Sequence, residues 1–403
     1  MSSRPSAMPR SSRVVLACVA LGLSLALPAA LRAQSGGDAP VITISKSGGQ
    51  VNLAVNPLTG QEGAAATKTL ADDLTLAGAF ALQVGPGASA TYIARGSMSG
   101  GSLQGTLTDR AGAALLNKTY QGNARTAAHE FADDIVFALT KQHGIAGGKI
   151  AFISTRSGHK EVYVCDTDGQ NLRQLTSDNN ISVGPALSAN GRRLAYTSYK
   201  SGYADIYVVD LGSGQRQRVI KFPGTNTGAA FSPDGGQLAM SCSKDGNPEL
   251  YVSGVGGGGA RRLTRTPGVE SSPTWSPNGG ELIYVGDASG QPQLYRISAD
   301  GGSGRQLSTG FGYCTEPDWS PDGTKVAFNV REGGGFAVAV LDLGSGQARV
   351  VAGADAQDPV WGADSRHLVF SSGGTITILD VPTGKRTAVV SGMGKVSEPA
   401  WSH

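Results

Sequence analysis

The stretch Glu316-Pro317-Asp318-Trp319-Ser320-Pro321-Asp322-Gly323 is the clearest indication of how this chain folds, because copies of it recur at a regular spacing. The other copies, which range from close to truncated, lie at 184–188, 228–235, 272–279, 358–362 and 398–402. The position of the motif tryptophan falls at 187, 231, 275, 319, 361 and 401, and all four tryptophans of the chain occupy it. Steps of 40 to 44 residues indicate a repeat architecture built from similar small sheets.

Each repeat is predicted to contain four strands, and the two ends of the array decide how the repeats are arranged. The first repeat, which begins at Lys149, has three strands and no motif strand before it, whereas the last motif, 396–402, is a strand with nothing after it. Pairing these ends completes one blade and closes a ring, which removes the exposed sheet edges. An open solenoid would instead need a capping repeat at each end. We therefore predict a six-bladed β-propeller over 148–403, closed by the C-terminal strand.

The region before the repeats is predicted to contain an export signal and a small domain. Residues 1–33 carry four arginines, no acidic residue and an apolar run, 14–27, which is shorter than the roughly 20 residues of a membrane span. Residues 34–147 are predicted to form a small α+β domain, with strands at 41–44, 51–55, 79–84, 91–95, 103–108 and 115–120. Its first helix is expected over 67–77, and its second, capped by Asn123 or Thr126, is expected to run to His143 with Phe131, Ile135 and Leu139 buried. The fold class is thus mainly β, and the protein is expected to be exported.

Composition and charge exclude several classes of protein. The chain has 59 glycines, which suits an all-β protein with many tight turns. Without the four arginines of residues 1–33, 30 of the 34 basic residues remain against 31 acidic ones. This near-neutral balance gives no electrostatic footprint for nucleic acid or an anionic membrane. The cysteines outside the leader, Cys165, Cys242 and Cys314, lack the spacing of a zinc site or a disulfide framework and are expected to be buried thiols.

The sequence lacks the patterns of an enzyme, and no cofactor or catalytic residue is predicted. There is no G-x-S-x-G hydrolase motif and no P-loop, and glycines 254, 256 and 259 lie between two strands instead of before a helix. The histidines share no spacing and are expected to be exposed polar residues; they are His129, His143, His159, His367 and His403. The aspartate of the repeated Ser-Pro-Asp-Gly turn, as in Asp234 and Asp322, is assigned to the turn and not to catalysis.

The residue before the motif proline varies between repeats. It is Glu316, Asp358 and Glu398 in three repeats, and Gly184, Gly228 and Ser272 in the other three. These positions are predicted to begin the innermost strands, at one mouth of the central channel. Two interpretations remain open: the acids are solvated residues at the mouth, or they bind a cation or a basic group of a partner.

Several stretches resemble the TolB family, the periplasmic propellers of the Tol-Pal system. The most specific is the junction Ala132-Asp133-Asp134-Ile135, Leu139-Thr140, His143-Gly144-Ile145 and Lys149 to Ser154. The phrase 73–80 is also similar to the first helix of the family. The resemblance covers the leader, the small domain and the six repeats. The turns at 188–191 and 362–365 depart from the family's Ser-Pro-Asp-Gly.

The resemblance implies a non-enzymatic periplasmic adaptor that supports outer-membrane integrity, cell division and protein import. It implies that the propeller binds Pal, the peptidoglycan-associated outer-membrane lipoprotein, and that residues 34–44 bind the inner-membrane protein TolA. The protein is then a monomer that reaches the outer membrane only through its partners. The expected Pal-facing residues are Glu270, Tyr313, Thr315, Glu316, Asp358 and Glu398. Two alternatives remain: an exported enzyme or glycan-binding protein that acts at the channel acids, and a scaffold that has lost Tol-Pal binding.

Overall fold

The structure is a computed structural model that describes residues 49–86, 90–353 and 355–402. The predicted export signal, the strand expected at 41–44 and the segment 34–44 lie outside the described residues. Within the described part of the chain, no helix is both long and apolar enough to cross a membrane.

The N-terminal α+β domain has one sheet with two helices on it. Its elements are β1 (Val51–Val55), β2 (Thr59–Gly60), α1 (Gly63–Leu76), β3 (Phe80–Val84), β4 (Tyr92–Ser99), β5 (Ser102–Asp109), β6 (Ala114–Gln121) and α2 (Ala124–Thr140). The strand order is β3-β1-β4-β5-β6, with β2 added to β4. β3 therefore does not pair with β4, the next strand in the chain, because α1 acts as a crossover that lets β3 pair with β1 in parallel.

The helices of this domain differ from prediction at one end each. α1 begins at Gly63, four residues before the expected start. Glycine is required there, because a Cβ atom on residue 63 would lie 2.2 Å from the carbonyl oxygen of Leu58. Asn123 caps α2 as expected, since its side chain accepts hydrogen bonds from the N–H groups of residues 125 and 126. α2 ends at Thr140 and not at His143, because Lys141 takes a left-handed conformation with φ 62°. The predicted buried stripe of α2 is confirmed: Phe131, Ile135 and Leu139 are at most 1% exposed.

The repeats form six antiparallel blades of four strands. Blades 2 to 4 contain β10 (Ser182–Leu187), β11 (Arg193–Ser198), β12 (Asp205–Asp210) and β13 (Arg216–Ile220); β14 (Asn226–Phe231), β15 (Gln237–Cys242), β16 (Glu249–Gly254) and β17 (Arg261–Arg262); β18 (Glu270–Trp275), β19 (Glu281–Gly286), β20 (Gln293–Ser298) and β21 (Arg305–Gln306). Blades 5 and 6 contain β22 (Cys314–Trp319), β23 (Lys325–Glu332), β24 (Gly335–Asp342) and β25 (Ala348–Ala352); β26 (Gln357–Trp361), β27 (His367–Ser372), β28 (Thr375–Asp380) and β29 (Lys385–Val390). Blade 1 joins both ends of the array: β7 (Lys149–Ser154), β8 (Glu161–Asp166), β9 (Arg173–Gln174) and β30 (Val396–Trp401).

The predicted closure of the ring is confirmed by the pairing of β30 with β7. The two strands are antiparallel, with Val396 opposite Ser154 and Trp401 opposite Ile150. Every blade therefore has the same complement of strands, and the fold is a six-bladed β-propeller preceded by an α+β domain. The hydrophobic core is divided into clusters that bridge neighbouring blades, as where Ile283 and Leu294 of blade 4 pack with Trp319 and Phe328 of blade 5.

The turn role of the motif aspartate is confirmed. In blade 5 the side chain of Asp322 accepts hydrogen bonds from Ser320 Oγ at 2.6 Å and from the N–H of Thr324 at 2.9 Å, and Gly323 has φ 75°. Asp234 makes the equivalent bonds in blade 3. Because the turn itself uses these carboxylates, they are not available as catalytic groups.

The expectation of exposed histidines is wrong for two of them. His129 is 5% exposed and His367 is 1% exposed, and Nδ1 of each lies next to a carboxylate, of Asp73 and Asp364 respectively. His143 and His159 are exposed, as expected. The three cysteines 165, 242 and 314 are buried free thiols, which confirms their prediction.

Candidate partner-binding site at the channel mouth

The innermost strands of the six blades surround a central cavity of about 1220 Å³. The variable residue before each motif proline lines it; these residues are Gly184, Gly228, Ser272, Glu316, Asp358 and Glu398, called here the mouth ring. These residues were predicted to begin the innermost strands, but they lie one or two residues inside them. The pairing with the next strand shifts at this point, for example between Thr315 and Asp318. The mouth ring therefore lies on β-bulges, which change the direction of a side chain.

All six residues of the mouth ring have a left-handed backbone, with φ between 47° and 64°. Glycine adopts this conformation freely, whereas other L-residues lose roughly 1–2 kcal/mol in it. Blades 2 and 3 place glycine here, but blades 5, 6 and 1 place Glu316, Asp358 and Glu398. The chain thus holds three carboxylates at a position that favours glycine. An outlier of this kind indicates that the side chain has a role that offsets the strain.

Each of these carboxylates accepts a hydrogen bond from a neighbouring blade. Asp358 Oδ2 accepts a hydrogen bond of 3.1 Å from the N–H of Glu398, and Glu398 Oε2 accepts one of 2.7 Å from the N–H of Gly184. Glu316 has a weaker attachment, because its Oε1 accepts a bond of 3.1 Å from the hydroxyl of Ser272. Of the three acids, Glu316 is therefore held least firmly by the neighbouring blade.

A fourth acid, Asp318, lies deeper in the channel and was missed by sequence reasoning. Its Oδ2 accepts a hydrogen bond of 2.7 Å from the N–H of Trp361 in the next blade, and its Oδ1 lies 3.4 Å from the hydroxyl of Thr274. The signal was present in the sequence, since blades 2, 3, 4, 6 and 1 have Ala, Ala, Thr, Val and Ala at this position. Blade 5 therefore contributes two carboxylates to the channel.

The channel makes ionisation of these acids unfavourable. Glu316 is reached by solvent, but the surrounding channel wall reduces its hydration, and this effect, with the nearby carboxylates of Asp358 and Glu398, raises its pKa to about 7. Burial also raises the pKa of Asp318 to about 7, although the N–H of Trp361 opposes the rise. The pKa of Asp358 is raised by burial in the same way. Among the described residues, the one ion pair of a mouth-ring acid joins Lys160 Nζ to Glu398 Oε1 at 3.5 Å. A cationic group inserted into the channel would therefore relieve both like-charge repulsion and desolvation.

The remaining expected site residues lie in two different environments. Tyr313 and Thr315 are half-buried on the segment that leads to Glu316. The guanidinium carbon of Arg331 lies 4.5 Å from the centre of the Tyr313 ring. Arg331 belongs to the β23–β24 hairpin, whose strands have eight residues where those of the other blades have six. The mouth next to Glu316 thus carries an aromatic and cationic patch on a longer hairpin.

Glu270 is not brought together with the other acids. Its side chain is 1% exposed, and its Oε1 accepts a hydrogen bond of 2.5 Å from the hydroxyl of Thr266. Burial and the neighbouring Glu249 raise the pKa of Glu270 to about 7. Glu270 begins β18, two residues before Ser272, at a position where the side chain faces the blade and not the channel. Because its side chain is buried, Glu270 is not part of the candidate site.

Three exposed apolar residues lie at the same end of the propeller, in blades 2 and 4. Ile181 and Val269 directly precede innermost strands, and Tyr203 lies in the loop between β11 and β12. They are 48%, 40% and 69% exposed. Sequence reasoning missed all three, although the place of Ile181 and Val269 just before a predicted innermost strand is a usable signal. Together with the mouth ring, they give this face both charge and apolar surface, the usual composition of a protein-binding site.

Comparisons with known proteins agree with this architecture. The family model described as "TolB beta propeller domain" matches residues 136–403. The chain is 44% identical over 84 residues to the Tol-Pal system protein TolB of Geobacter metallireducens, a match that covers 20% of each chain. It is 48% identical over 80 residues to a TolB homologue of Chlorobium luteolum, which covers 19% of this chain and 18% of that one. These alignments span about a fifth of the curated relatives' length.

A solved structure extends the likeness to the whole fold. The crystal structure of TolB from Acinetobacter baumannii matches 88% of this chain and 97% of its own chain, with a TM-score of 0.76 and 24% sequence identity. At that identity the match supports the fold, including the α+β domain. The family model, in contrast, covers well over half of the chain. The chain therefore belongs to the TolB β-propeller family.

Proposed function

We propose that this protein is a non-enzymatic periplasmic adaptor of the Tol-Pal system. In this proposal the channel mouth binds a Pal-like outer-membrane lipoprotein, and residues 34–44 bind a TolA-like inner-membrane protein. The protein would act as a monomer, meet the outer membrane only through its partners, and support outer-membrane integrity, cell division and protein import. Family membership supports the proposal, because curated relatives are named as Tol-Pal system proteins.

One observation carries the assignment of the binding face: three carboxylates occupy left-handed positions that favour glycine, at the mouth of an open channel. A partner that inserts a lysine or arginine side chain there would gain charge-assisted hydrogen bonds in a site of reduced dielectric. The exposed apolar residues on the same face would supply the buried area around this contact. The expected site thus consists of Tyr313, Thr315, Glu316, Asp358 and Glu398 with this apolar rim.

The chemistry of the acids favours binding over catalysis. Asp358 and Glu398 accept hydrogen bonds from main-chain N–H groups, which fixes both carboxylates in the wall of the channel. A general acid or base must instead reach the substrate atom that gains or loses a proton. Glu316 and Asp318 have raised pKa values, but a raised pKa in an acidic cluster follows from burial and like charge alone.

The first test is titration calorimetry of residues 34–403 with the soluble domain of a Pal-like lipoprotein from the same organism. We expect saturable binding at micromolar affinity or tighter. The variant Glu316→Gln/Asp358→Asn/Glu398→Gln should bind about 10- to 100-fold more weakly, because it removes the charge and keeps the side-chain shape. The matched control Glu62→Gln/Glu130→Gln/Asp300→Asn removes three exposed acids elsewhere and should bind like the unmodified protein.

The outcomes separate the alternatives. If the folded protein does not bind the lipoprotein, the adaptor assignment is wrong, and glycan and small-molecule screens at the channel become the next experiment. If binding persists unchanged in the triple-acid variant, the adaptor assignment stands but the channel mouth is not the binding face. The TolA arm is tested by comparing 34–403 with 45–403 against the soluble domain of a TolA-like protein, where only the longer form should bind.

A further inference from the structure

A second cluster of polar side chains lies where the α+β domain meets blade 1 and does not line the channel. It consists of His129 on α2, Asp166 at the end of β8 and Asp168 in the turn before β9. One ring nitrogen of His129 and one carboxylate oxygen of each aspartate lie within 4.8 Å of one another. No feature of the partner-binding proposal uses these residues.

His129 has one nitrogen engaged and one free. Nδ1 lies 2.7 Å from Asp73 Oδ2 of α1. Nε2 is buried and has no hydrogen-bond partner among the described residues, and the whole residue is 5% exposed. A buried polar atom without a partner is unfavourable and calls for an explanation, such as an ion that the structure does not contain. Since Nδ1 is engaged by Asp73, Nε2 is the nitrogen that is available to a ligand.

We propose that His129, Asp166 and Asp168 form a binding site for a divalent transition-metal ion, for which Zn²⁺ is the best fit. Imidazole nitrogen and carboxylate oxygen are both zinc ligands, and imidazole favours zinc and similar ions over calcium or magnesium. Three protein ligands leave the fourth tetrahedral position to a water molecule. The proposal is independent of the binding of Tol-Pal partners.

The surroundings of the cluster have the outer contacts that metal ligands usually have. A histidine that binds a metal typically donates its other N–H to a carboxylate, and Asp73 is placed to accept it. Asp166 Oδ2 accepts a hydrogen bond of 2.6 Å from the amide of Asn171. Asp168 Oδ1 accepts one of 3.1 Å from the N–H of Gln170. All three proposed ligands are therefore already oriented by neighbours.

Two cations compete with a metal ion for the same carboxylates. The guanidinium of Arg125, one turn before His129, bonds to both oxygens of Asp168 and lies 3.1 Å from Asp166 Oδ2. Lys149 Nζ lies 3.1 Å from Asp166 Oδ1. A metal ion must draw the carboxylates away from Arg125 and tolerate its charge, which lowers the expected affinity. Metal and Arg125 would then be interchangeable links between α2 and blade 1.

The competition between Arg125 and a metal ion makes it possible to distinguish a metal site from a cluster of ion pairs that is only structural. Untagged 34–403 is stripped with chelator, and Zn²⁺ binding is measured by calorimetry and by metal analysis after dialysis. We expect one Zn²⁺ per chain and a higher melting temperature with zinc. His129→Gln and Asp168→Asn should each weaken binding by at least about tenfold. Arg125→Met, which removes the competing cation, should strengthen it by about tenfold.

The control and a spectroscopic readout keep the result unambiguous. His143→Gln removes an exposed histidine of the same region and should bind zinc like the unmodified protein. Co²⁺ at the site should give visible absorption of the intensity typical of low coordination, and His129→Gln should remove it. If His129→Gln does not fold, the Asp168→Asn and Arg125→Met variants still decide the question. The proposal is overturned if no stoichiometric zinc binds, if zinc binding is indifferent to these variants, or if Arg125→Met binds more weakly.

Discussion

The two halves of the mouth ring have the same backbone and different chemistry. Blades 2, 3 and 4 place Gly184, Gly228 and Ser272 in the left-handed conformation, whereas blades 5, 6 and 1 place two glutamates and an aspartate there. The bulge of the innermost strand imposes the conformation on both halves, so the fold alone would select glycine throughout. The acids are therefore present in spite of the backbone conformation, which favours glycine. They link blades 6, 1 and 2 and make one side of the channel negative.

The largest expected effect comes from the aromatic residue behind the mouth ring. Trp361 in the acidic half is fully buried, whereas the equivalent Phe231 in the glycine half is half-buried. Trp361→Ala should lower the free energy of unfolding by about 3–5 kcal/mol, because it leaves a large cavity between blades. Phe231→Ala should lower the free energy of unfolding by clearly less, since solvent already reaches the Phe231 ring. Urea unfolding followed by circular dichroism measures both; equal losses would show that the two halves are packed equally well.

An intermediate effect is expected from pH, because only the acidic half titrates. Burial raises the pKa of Asp318 to about 7, above that of an aspartate in the unfolded chain. The folded protein then holds this proton over a pH range in which the unfolded chain has lost it. Asp318 therefore stabilises the fold most at low pH, and this contribution is lost as the pH rises from about 4 through 7.

The difference between variants isolates this contribution. Asp318→Asn keeps an oxygen for the N–H of Trp361 but cannot ionise. Between pH 5 and pH 8, the free energy of unfolding of this variant should therefore fall less than that of the unmodified protein, by a difference of about 1–2 kcal/mol. Asp300→Asn, at an exposed turn, is the matched control and should retain the full pH dependence. Melting temperatures across this range measure the effect. Parallel curves for Asp318→Asn and the unmodified protein would place the titration elsewhere.

The smallest effect measures the backbone preference itself. Gly184 has φ 58°, and a Cβ atom added there would meet nothing within 4 Å, so Gly184→Ala tests conformation without a steric clash. It should lower the free energy of unfolding by about 1 kcal/mol. Ser272→Gly, at φ 48°, should raise it by a similar amount, reduced by loss of the bond to Glu316. Chemical denaturation resolves changes of this size, and a neutral Gly184→Ala would contradict the assigned strain.

The periodic part of the molecule could be predicted from sequence, and the contacts between unlike parts could not. The repeat spacing predicts the blades, the closing strand and the turn role of Asp322, because similar short motifs occur at the same place in each repeat. The left-handed conformation of Glu316 could have been inferred from the glycines at 184 and 228, since aligned repeats share a backbone. The inter-blade acid Asp318 also stood out from its equivalents.

The failures have a common physical cause. Glu270 was expected on the same surface as the mouth acids, but it is buried, and strand residues two apart, such as Glu270 and Ser272, need not share an environment where a bulge intervenes. The burial of His129 depends on Asp73, which lies 56 residues away on another helix. Its approach to Asp166 and Asp168 depends on how the α+β domain meets blade 1. The repeat pattern of the sequence carries no information about contacts between the α+β domain and the propeller.

The pairing of β30 with β7 has a consequence for how the molecule is made. Ser402 and Lys149 are hydrogen-bonded partners separated by 253 residues, so blade 1 assembles only from the two most distant parts of the propeller. Contacts of this separation form late and slowly, because a long loop must close before they are gained. During synthesis, one edge of β7 therefore stays unpaired until β30 has been made. A chain lacking β30 would be a target for proteolysis and aggregation even with its other five blades complete.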